Sequence, residues 1–162
     1  MKLNEVIPGN KKEWSILILL VIGIQLLGII WTPFTVTQVN SWYETLEKPV
    51  FNPPGWIFGP VWTILYFIIA LVAFYIYKNK TDSKTKYLFN TQLLLNFLWT
   101  PFFFIAHQIE LALVIIIALL STIIAIQIKL FQKTKVLASL WFLYLLWVLF
   151  ATLLNTSILI LN

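Results

Sequence analysis

Cysteine and arginine are both absent from this chain of 162 residues, and charged residues of any kind are scarce. Without cysteine the chain has no disulfides and no thiolate metal sites. One histidine and six acidic residues leave little material for a metal site, and we expect none. Only 10% of the residues are charged, against about 25% in soluble domains. Because so few polar side chains cannot cover a soluble globule, the sequence predicts a membrane protein.

Apolar sequence is what the chain has in abundance, with 60% hydrophobic residues and a mean hydropathy of +0.91. A helix that crosses a bilayer needs about 20 apolar residues. The apolar runs lack the period-two alternation of barrel strands. We therefore predict an all-α integral membrane protein with a single domain, residues 1–162. Its five transmembrane helices are expected at about 14–34, 56–77, 87–106, 109–130 and 136–160.

The eleven lysines are unevenly placed relative to these helices. Ten of them precede the first helix, beginning with Lys2, or lie around the connections after the second and fourth helices. The opposite side carries only Lys48. Positive residues favour the cytoplasmic side of a membrane, which predicts a cytoplasmic N-terminus and an external C-terminus. The lysines are thus interpreted as topology signals, and we expect no nucleic-acid partner.

Neutral polar and aromatic side chains occupy the interiors of the predicted spans, where no Asp, Glu, Lys or Arg occurs; Glu110 and Lys129 lie at the two ends of the fourth span. This absence argues against a proton-coupled pump and removes the usual general acids and bases, so we do not expect ordinary enzymatic catalysis. Amides and large aromatics instead recur at helical spacing and either bond the helices together or line a cavity for a flat apolar ligand. These faces comprise Phe58, Trp62, Tyr66 and Ala73; Gln92, Asn96, Trp99 and Phe103; and Tyr144, Trp147, Ala151 and Asn155.

The connection predicted at 35–55, between the first two helices, is long and rich in proline and aromatic residues. Most connections take a handful of residues, and prolines restrict the backbone of a longer one. The run Asn52-Pro53-Pro54-Gly55 predicts a turn just before the second helix. Such a segment either caps the mouth of the bundle or anchors in the lipid headgroups. The candidate capping residues are Trp42, Lys48, Pro49, Phe51, Asn52, Pro54 and Trp56.

Several blocks of sequence occur in a specific order along nearly the whole chain. They are Trp42-Tyr43, Phe51-Asn52-Pro53-Pro54-x-Trp56, Gly59-Pro60-Val61-Trp62-Thr63-x-Leu65-Tyr66, Gln92-Leu93-x-Leu95-Asn96-x-x-Trp99, and Tyr144-x-x-Trp147-x-x-Phe150-Ala151. Together they resemble the translocator protein family, also called the tryptophan-rich sensory protein or peripheral benzodiazepine receptor family.

The resemblance implies a five-helix bundle, commonly a homodimer, with a ligand pocket capped by the first long loop. It implies a receptor or carrier, with a regulatory or transport role, for porphyrins such as protoporphyrin IX and for isoquinoline or benzodiazepine drugs. The porphyrin would be a ligand, and no cofactor is implied. The family's pocket positions match Tyr43, Pro53, Trp62, Tyr66, Asn96, Trp99, Phe102, Trp147 and Ala151.

Three alternatives remain open at this point. The resemblance also allows light- and oxygen-dependent porphyrin breakdown, for which the implicated tryptophans match Trp62 and Trp147. Lipid or sterol binding and a purely structural role in the membrane are the others. The Tyr and Arg of the cholesterol motif proposed for animal members are missing after Asn155, so a sterol role is not implied. The arginine-free composition, rich in Lys, Ile and Asn, favours a bacterial cell membrane.

Overall fold

A computed structural model describes residues 6–162, most of which are helical; Lys2 lies outside the described residues. The helices are α1 (Lys11–Ile29), α2 (Thr32–Val39), α3 (Trp42–Thr45), α4 (Phe58–Lys78), α5 (Ser83–Thr100), α6 (Ile109–Lys133) and α7 (Lys135–Leu161). A 3-10 turn, Gly55–Ile57, precedes α4, and a π-helical turn, Pro101–Ile105, extends α5. In the described part of the chain, five segments are long and apolar enough to cross a membrane: Lys11–Val39, Gly55–Lys78, Ser83–Ile105, Ile109–Lys133 and Lys135–Leu161. This confirms the predicted architecture.

Polar side chains start three of the long helices. The side chain of Asn10 accepts from Glu13 N at 3.0 Å at the start of α1. Asp82 accepts from Thr85 N at 2.9 Å before α5, and Thr134 caps α7 in the same way. Each cap satisfies a backbone N–H that has no partner within its own helix. In α4 the first turn instead contains Pro60, whose missing N–H breaks no helical bond there.

The segment predicted as a loop, 35–55, contains more helix than its composition indicated. Helix α2 covers its first residues and α3 a single turn further on. Pro33 lies in the first turn of α2, where proline is compatible with a helix. The hydroxyls of Thr35 and Thr37 donate to carbonyls four residues earlier, at 2.9 and 3.1 Å. The irregular part of the connection is therefore shorter than predicted.

The bundle is built around α4 and α6. Helix α4 packs against α1 and α7, and α6 packs against α5 and α7. Ala70 and Ala73 on α4 are buried in the core, and such small residues allow neighbouring helices to approach closely. On the outside, large side chains such as Leu19 and Leu26 are 69% and 60% exposed. These outward apolar side chains suit a hydrocarbon surrounding and confirm an integral membrane protein.

Candidate functional site

Four polar side chains form a hydrogen-bonded chain through the interior of the bundle. The Tyr66 hydroxyl donates to Asn96 Oδ1 at 3.4 Å, and Asn96 Nδ2 donates to the Tyr144 hydroxyl at 2.8 Å. Tyr144 in turn donates to Gln92 Oε1 at 3.1 Å. Gln92, Asn96 and Tyr144 are all buried. Because buried polar groups without partners are costly, this chain constrains how α4, α5 and α7 are rotated against one another.

Two buried donors next to this region, Gln92 Nε2 and Trp147 Nε1, have no hydrogen-bond partner among the described residues. Most buried donors in folded proteins are paired. Gln92 ends the polar chain, and Trp147 lies on the same helix as Tyr144. These two N–H groups therefore retain the capacity to donate a hydrogen bond.

The two tryptophans implicated by the resemblance lie on two helices that pack against each other, Trp62 on α4 and Trp147 on α7. The Trp62 ring stacks on Tyr66, with ring centroids 5.2 Å apart and planes at 28°. Trp147 contacts Phe58 at 5.8 Å and Phe150 at 5.6 Å. The Trp62 and Trp147 rings do not contact each other, although both pack against the same apolar core.

A second aromatic cluster lies at the end of the bundle near the connection between α1 and α4. Trp99 stacks on Phe103, with centroids 5.2 Å apart, and its Nε1 donates to Asn155 Oδ1 at 3.1 Å. Tyr43 from α3 contacts Phe103 and Phe104. Trp99 packs against both this cluster and the main core. Trp99 therefore links the interior of the bundle to residues 35–55, which we call the capping segment.

Proline chemistry explains the shape of this end of α5. Pro101 has no N–H, so the carbonyl of Phe97 lacks its usual helical donor. Trp31 Nε1 donates to that carbonyl at 3.1 Å, which joins the end of α1 to α5. Beyond Pro101 the helix widens, and Ala106 N donates to Pro101 O at 2.9 Å across five residues. This wide turn carries Phe102, Phe103 and Phe104.

His107 connects the wide turn to the capping segment. Its backbone φ is +55°, in the left-handed region, which ends the helical turn. The imidazole stacks on Trp42, with centroids 4.1 Å apart and planes at 12°. Its Nε2 lies 3.0 Å from Gln38 Oε1. His107 therefore contacts both α2, through Gln38, and α3, through Trp42.

Within the capping segment, the buried Tyr43 is the central residue. Its hydroxyl donates to Asn52 Oδ1 at 2.8 Å, and burial raises the pKa of Tyr43 to about 12. Lys48 Nζ lies 5.2 Å above the Tyr43 ring and donates to the carbonyls of Glu44 and Leu46 at 3.2 and 2.9 Å. The Lys48 cation thus stabilises the backbone of the segment itself.

The remaining capping candidates are more exposed. Trp56 is 74% exposed and Phe51 is 52% exposed; Phe51 contacts Phe150 on α7, with centroids 6.2 Å apart. The end of α7 is also joined to the segment, because Asn162 exchanges two hydrogen bonds with the backbone of Glu47, both at 3.0 Å. The capping segment therefore packs against α7, and its exposed aromatic side chains suit a layer of lipid headgroups.

Two spaces adjoin these residues. A groove of about 290 Å³ runs between α4 and α7. Its lining includes Trp147, and Ile64 and Leu143 at its rim are 58% and 49% exposed, so it opens to the lipid side. A space of about 10 Å³ lies between α1, α4 and α5, beside Tyr66 and Asn96, and it is close to the size of one water molecule.

The structure gathers most of the predicted pocket residues around the two apolar clusters that share Trp99. Trp62, Tyr66, Trp147 and Ala151 pack at the main core, and Tyr43 and Phe102 at the second cluster; Pro53 is half-buried in the connection. Trp141, fully buried beside Tyr144 with centroids 5.0 Å apart, was not predicted. Its three-residue spacing from Tyr144 was the available signal. Nothing local in the sequence indicates that Gln38 pairs with His107.

Comparison with known proteins gives a consistent picture. Residues 15–161 match the TspO/MBR family. The tryptophan-rich protein TspO of Archaeoglobus fulgidus is 42% identical over 145 residues, covering 88% of this chain and 94% of its own. The tryptophan-rich sensory protein of Cereibacter sphaeroides is 32% identical, covering 81% and 83%. The human translocator protein is 34% identical, covering 70% of each chain.

Proposed function

Because this chain belongs to the TspO/MBR family, we propose that it is a membrane receptor or carrier for planar porphyrin-type tetrapyrroles such as protoporphyrin IX. Drug-like isoquinoline and benzodiazepine molecules would bind in the same place. The observation that carries this proposal is the buried chain from Tyr66 to Gln92, flanked by Trp62 and ending in an unpaired donor. Flat apolar ligands bind where aromatic walls surround a few neutral polar groups.

Binding requires that side chains move. The interior beneath the capping segment is filled by aromatic rings, among them Trp99 and Phe103. A macrocycle that enters would exchange ring–ring contacts for ring–porphyrin contacts of similar kind. If the stack of His107 on Trp42 opened, the capping segment would separate from the wide turn at Pro101–Ile105. Ligand entry is thus coupled to the capping segment.

The test is a titration of the purified protein with protoporphyrin IX, followed by the absorption of the bound porphyrin. This signal does not depend on which tryptophans remain. The double variant Trp62→Ala, Trp147→Ala is expected to bind at least about tenfold more weakly, which corresponds to the loss of one or two stacking contacts. Trp14→Ala, which removes an indole 49% exposed on α1, is the matched control. Equal affinity of the double variant and the wild type would contradict the stacking role.

A second candidate is light- and oxygen-dependent porphyrin breakdown. The observation that favours it is the stacked pair of Trp62 and Tyr66, two oxidisable rings in contact. Dioxygen would be the oxidant, and no ionised acid or base would be needed. Illumination of the complex in air and under argon, with the porphyrin bands followed in wild type and in Trp62→Phe, decides the matter. If free and bound porphyrin bleach at the same rate, the protein does not promote the breakdown, and only the binding function stands.

The orientation and the assembly belong to the same proposal. We place the N-terminus in the cytoplasm on the strength of the lysine distribution and expect a homodimer in a bacterial cell membrane. The topology is tested with two single variants, Lys48→Cys and Lys80→Cys. Because the chain has no cysteine of its own, any labelling comes from the introduced residue. An impermeant thiol reagent should label the first in whole cells and not the second. The mass of the protein in nanodiscs reports the dimer.

A further inference from the structure

Gly28 on α1 lies directly against the Tyr66 ring. A methyl group placed on Gly28 would overlap Tyr66 Cε2 and would come within 2.6 Å of Cδ2 and 2.7 Å of Cζ. Carbon atoms in van der Waals contact are separated by about 3.5–4.0 Å. Only a residue without a side chain therefore allows the ring to lie where it does.

Backbone conformation does not explain the glycine. No glycine among the described residues has a positive φ, and Gly28 lies inside α1. Glycine is a poorer helix former than alanine at such a position. Gly23, on the same helix, contrasts with it, because a methyl group there would meet nothing within 4 Å. The requirement at Gly28 is thus for space beside Tyr66.

The Tyr66 ring has few places to go. Its face is stacked on Trp62 at 5.2 Å, and its hydroxyl lies 3.4 Å from Asn96 Oδ1. The space of about 10 Å³ beside it, between α1 and α5, is too small for a displaced ring. A side chain at position 28 would therefore push Tyr66 away from α1, and the stack on Trp62 and the bond to Asn96 would be lost together.

We propose that Gly28 is a positioning residue for the tetrapyrrole site: its missing side chain sets the place of the Tyr66 ring, and through it the places of the Trp62 indole and the Asn96 amide. This inference rests on the proposed function, because it takes Trp62, Tyr66 and Asn96 as ligand contacts. Gly28 has no side chain that could contact a ligand, and it acts only through Tyr66.

The test compares Gly28→Ala, Gly23→Ala, Tyr66→Ala and the double variant Gly28→Ala, Tyr66→Ala. The dissociation constant for protoporphyrin IX is measured by porphyrin absorption on the folded, monodisperse fraction of each. We expect about tenfold weaker binding or more in Gly28→Ala, since overpacking of this size displaces a side chain. Gly23→Ala should bind like the wild type. In the Tyr66→Ala background, Gly28→Ala should have no further effect, because the ring that it displaces is gone.

The outcomes separate the two proposals. If the wild type binds and Gly28→Ala binds equally well, the positioning role is overturned while the proposed function stands. If the wild type does not bind protoporphyrin IX, the proposed function fails and the inference falls with it. Should Gly28→Ala alone fail to fold, the Tyr66→Ala background decides. Equal affinities with Gly or Ala at position 28 support the inference, and unequal affinities overturn it.

Discussion

Removal of the Tyr144 hydroxyl is the most direct test of the buried polar chain. In Tyr144→Phe, Asn96 Nδ2 loses an acceptor at 2.8 Å and Gln92 Oε1 loses a donor at 3.1 Å. Gln92 Nε2 already has no partner among the described residues, so the whole Gln92 amide would then be buried and unpaired. The substitution keeps the aromatic ring that contacts Trp141, with centroids 5.0 Å apart, and removes only the hydroxyl.

The magnitude follows from the two bonds lost. Hydrogen bonds between membrane helices measure about 0.6 kcal/mol on average and up to about 1.7 kcal/mol, and a buried group left unpaired costs about 1–3 kcal/mol. We therefore expect the free energy of unfolding to fall by about 1–3 kcal/mol in Tyr144→Phe. The matched control is Tyr77→Phe, which loses one bond to Asn90 Oδ1 at 2.7 Å from a side chain 46% exposed. There the surroundings replace the bond, and a loss below about 0.5 kcal/mol is expected.

The assay is equilibrium unfolding in mixed micelles with increasing SDS, followed by circular dichroism for both variants and the wild type. Two further variants are measured in the same way: the single variant Gln92→Leu and the double variant Gln92→Leu, Tyr144→Phe. Removal of both partners should cost less than the sum of the single changes, because no acceptor is then left without its donor. The reasoning is refuted if Tyr144→Phe is no more costly than Tyr77→Phe, or if the two changes at 92 and 144 are additive.

Three further predictions concern the ends of the helices. Bonds from the Thr85 hydroxyl and backbone N–H, and then Lys129, lower the pKa of Asp82 to about 2. The stability advantage of the wild type over Asp82→Asn should therefore be constant above about pH 5 and shrink as the pH falls towards 2, in thermal melts across that range. An advantage that stays level down to pH 2 would contradict the cap. The Tyr43 phenolate should appear near pH 12 rather than 10 in the ultraviolet difference spectrum between wild type and Tyr43→Phe, since burial raises its pKa; ionisation near pH 10 would mean that Tyr43 is solvated. Because His107 has a φ of +55°, His107→Val should lower the melting temperature more than His107→Asn, which tolerates left-handed backbone, and equal losses would show that the stack on Trp42 alone matters.

Local patterns predicted the class and the elements of this protein well. The scarcity of charge and the long apolar runs predicted five membrane helices, because hydropathy and helix length depend on neighbouring residues only. Helical spacing placed Gln92 with Asn96, and Tyr144 with Trp147, on single faces for the same reason. The composition of 35–55 concealed the helix α2, because prolines and threonines that favour loops are also compatible with a first helical turn.

The sequence by itself thus determined the membrane class, the helices, their polar faces and the family to which the chain belongs. Only the tertiary structure decided which faces meet: that Tyr144 bonds Gln92 and Asn96, that Trp62 stacks on Tyr66 while Trp147 borders the groove beside α7, and that Gly28 leaves room for a ring on α4. The physical reason is that the rotation of each helix about its axis depends on side-chain fit with residues far away along the chain, and such fit has no period that a sequence displays.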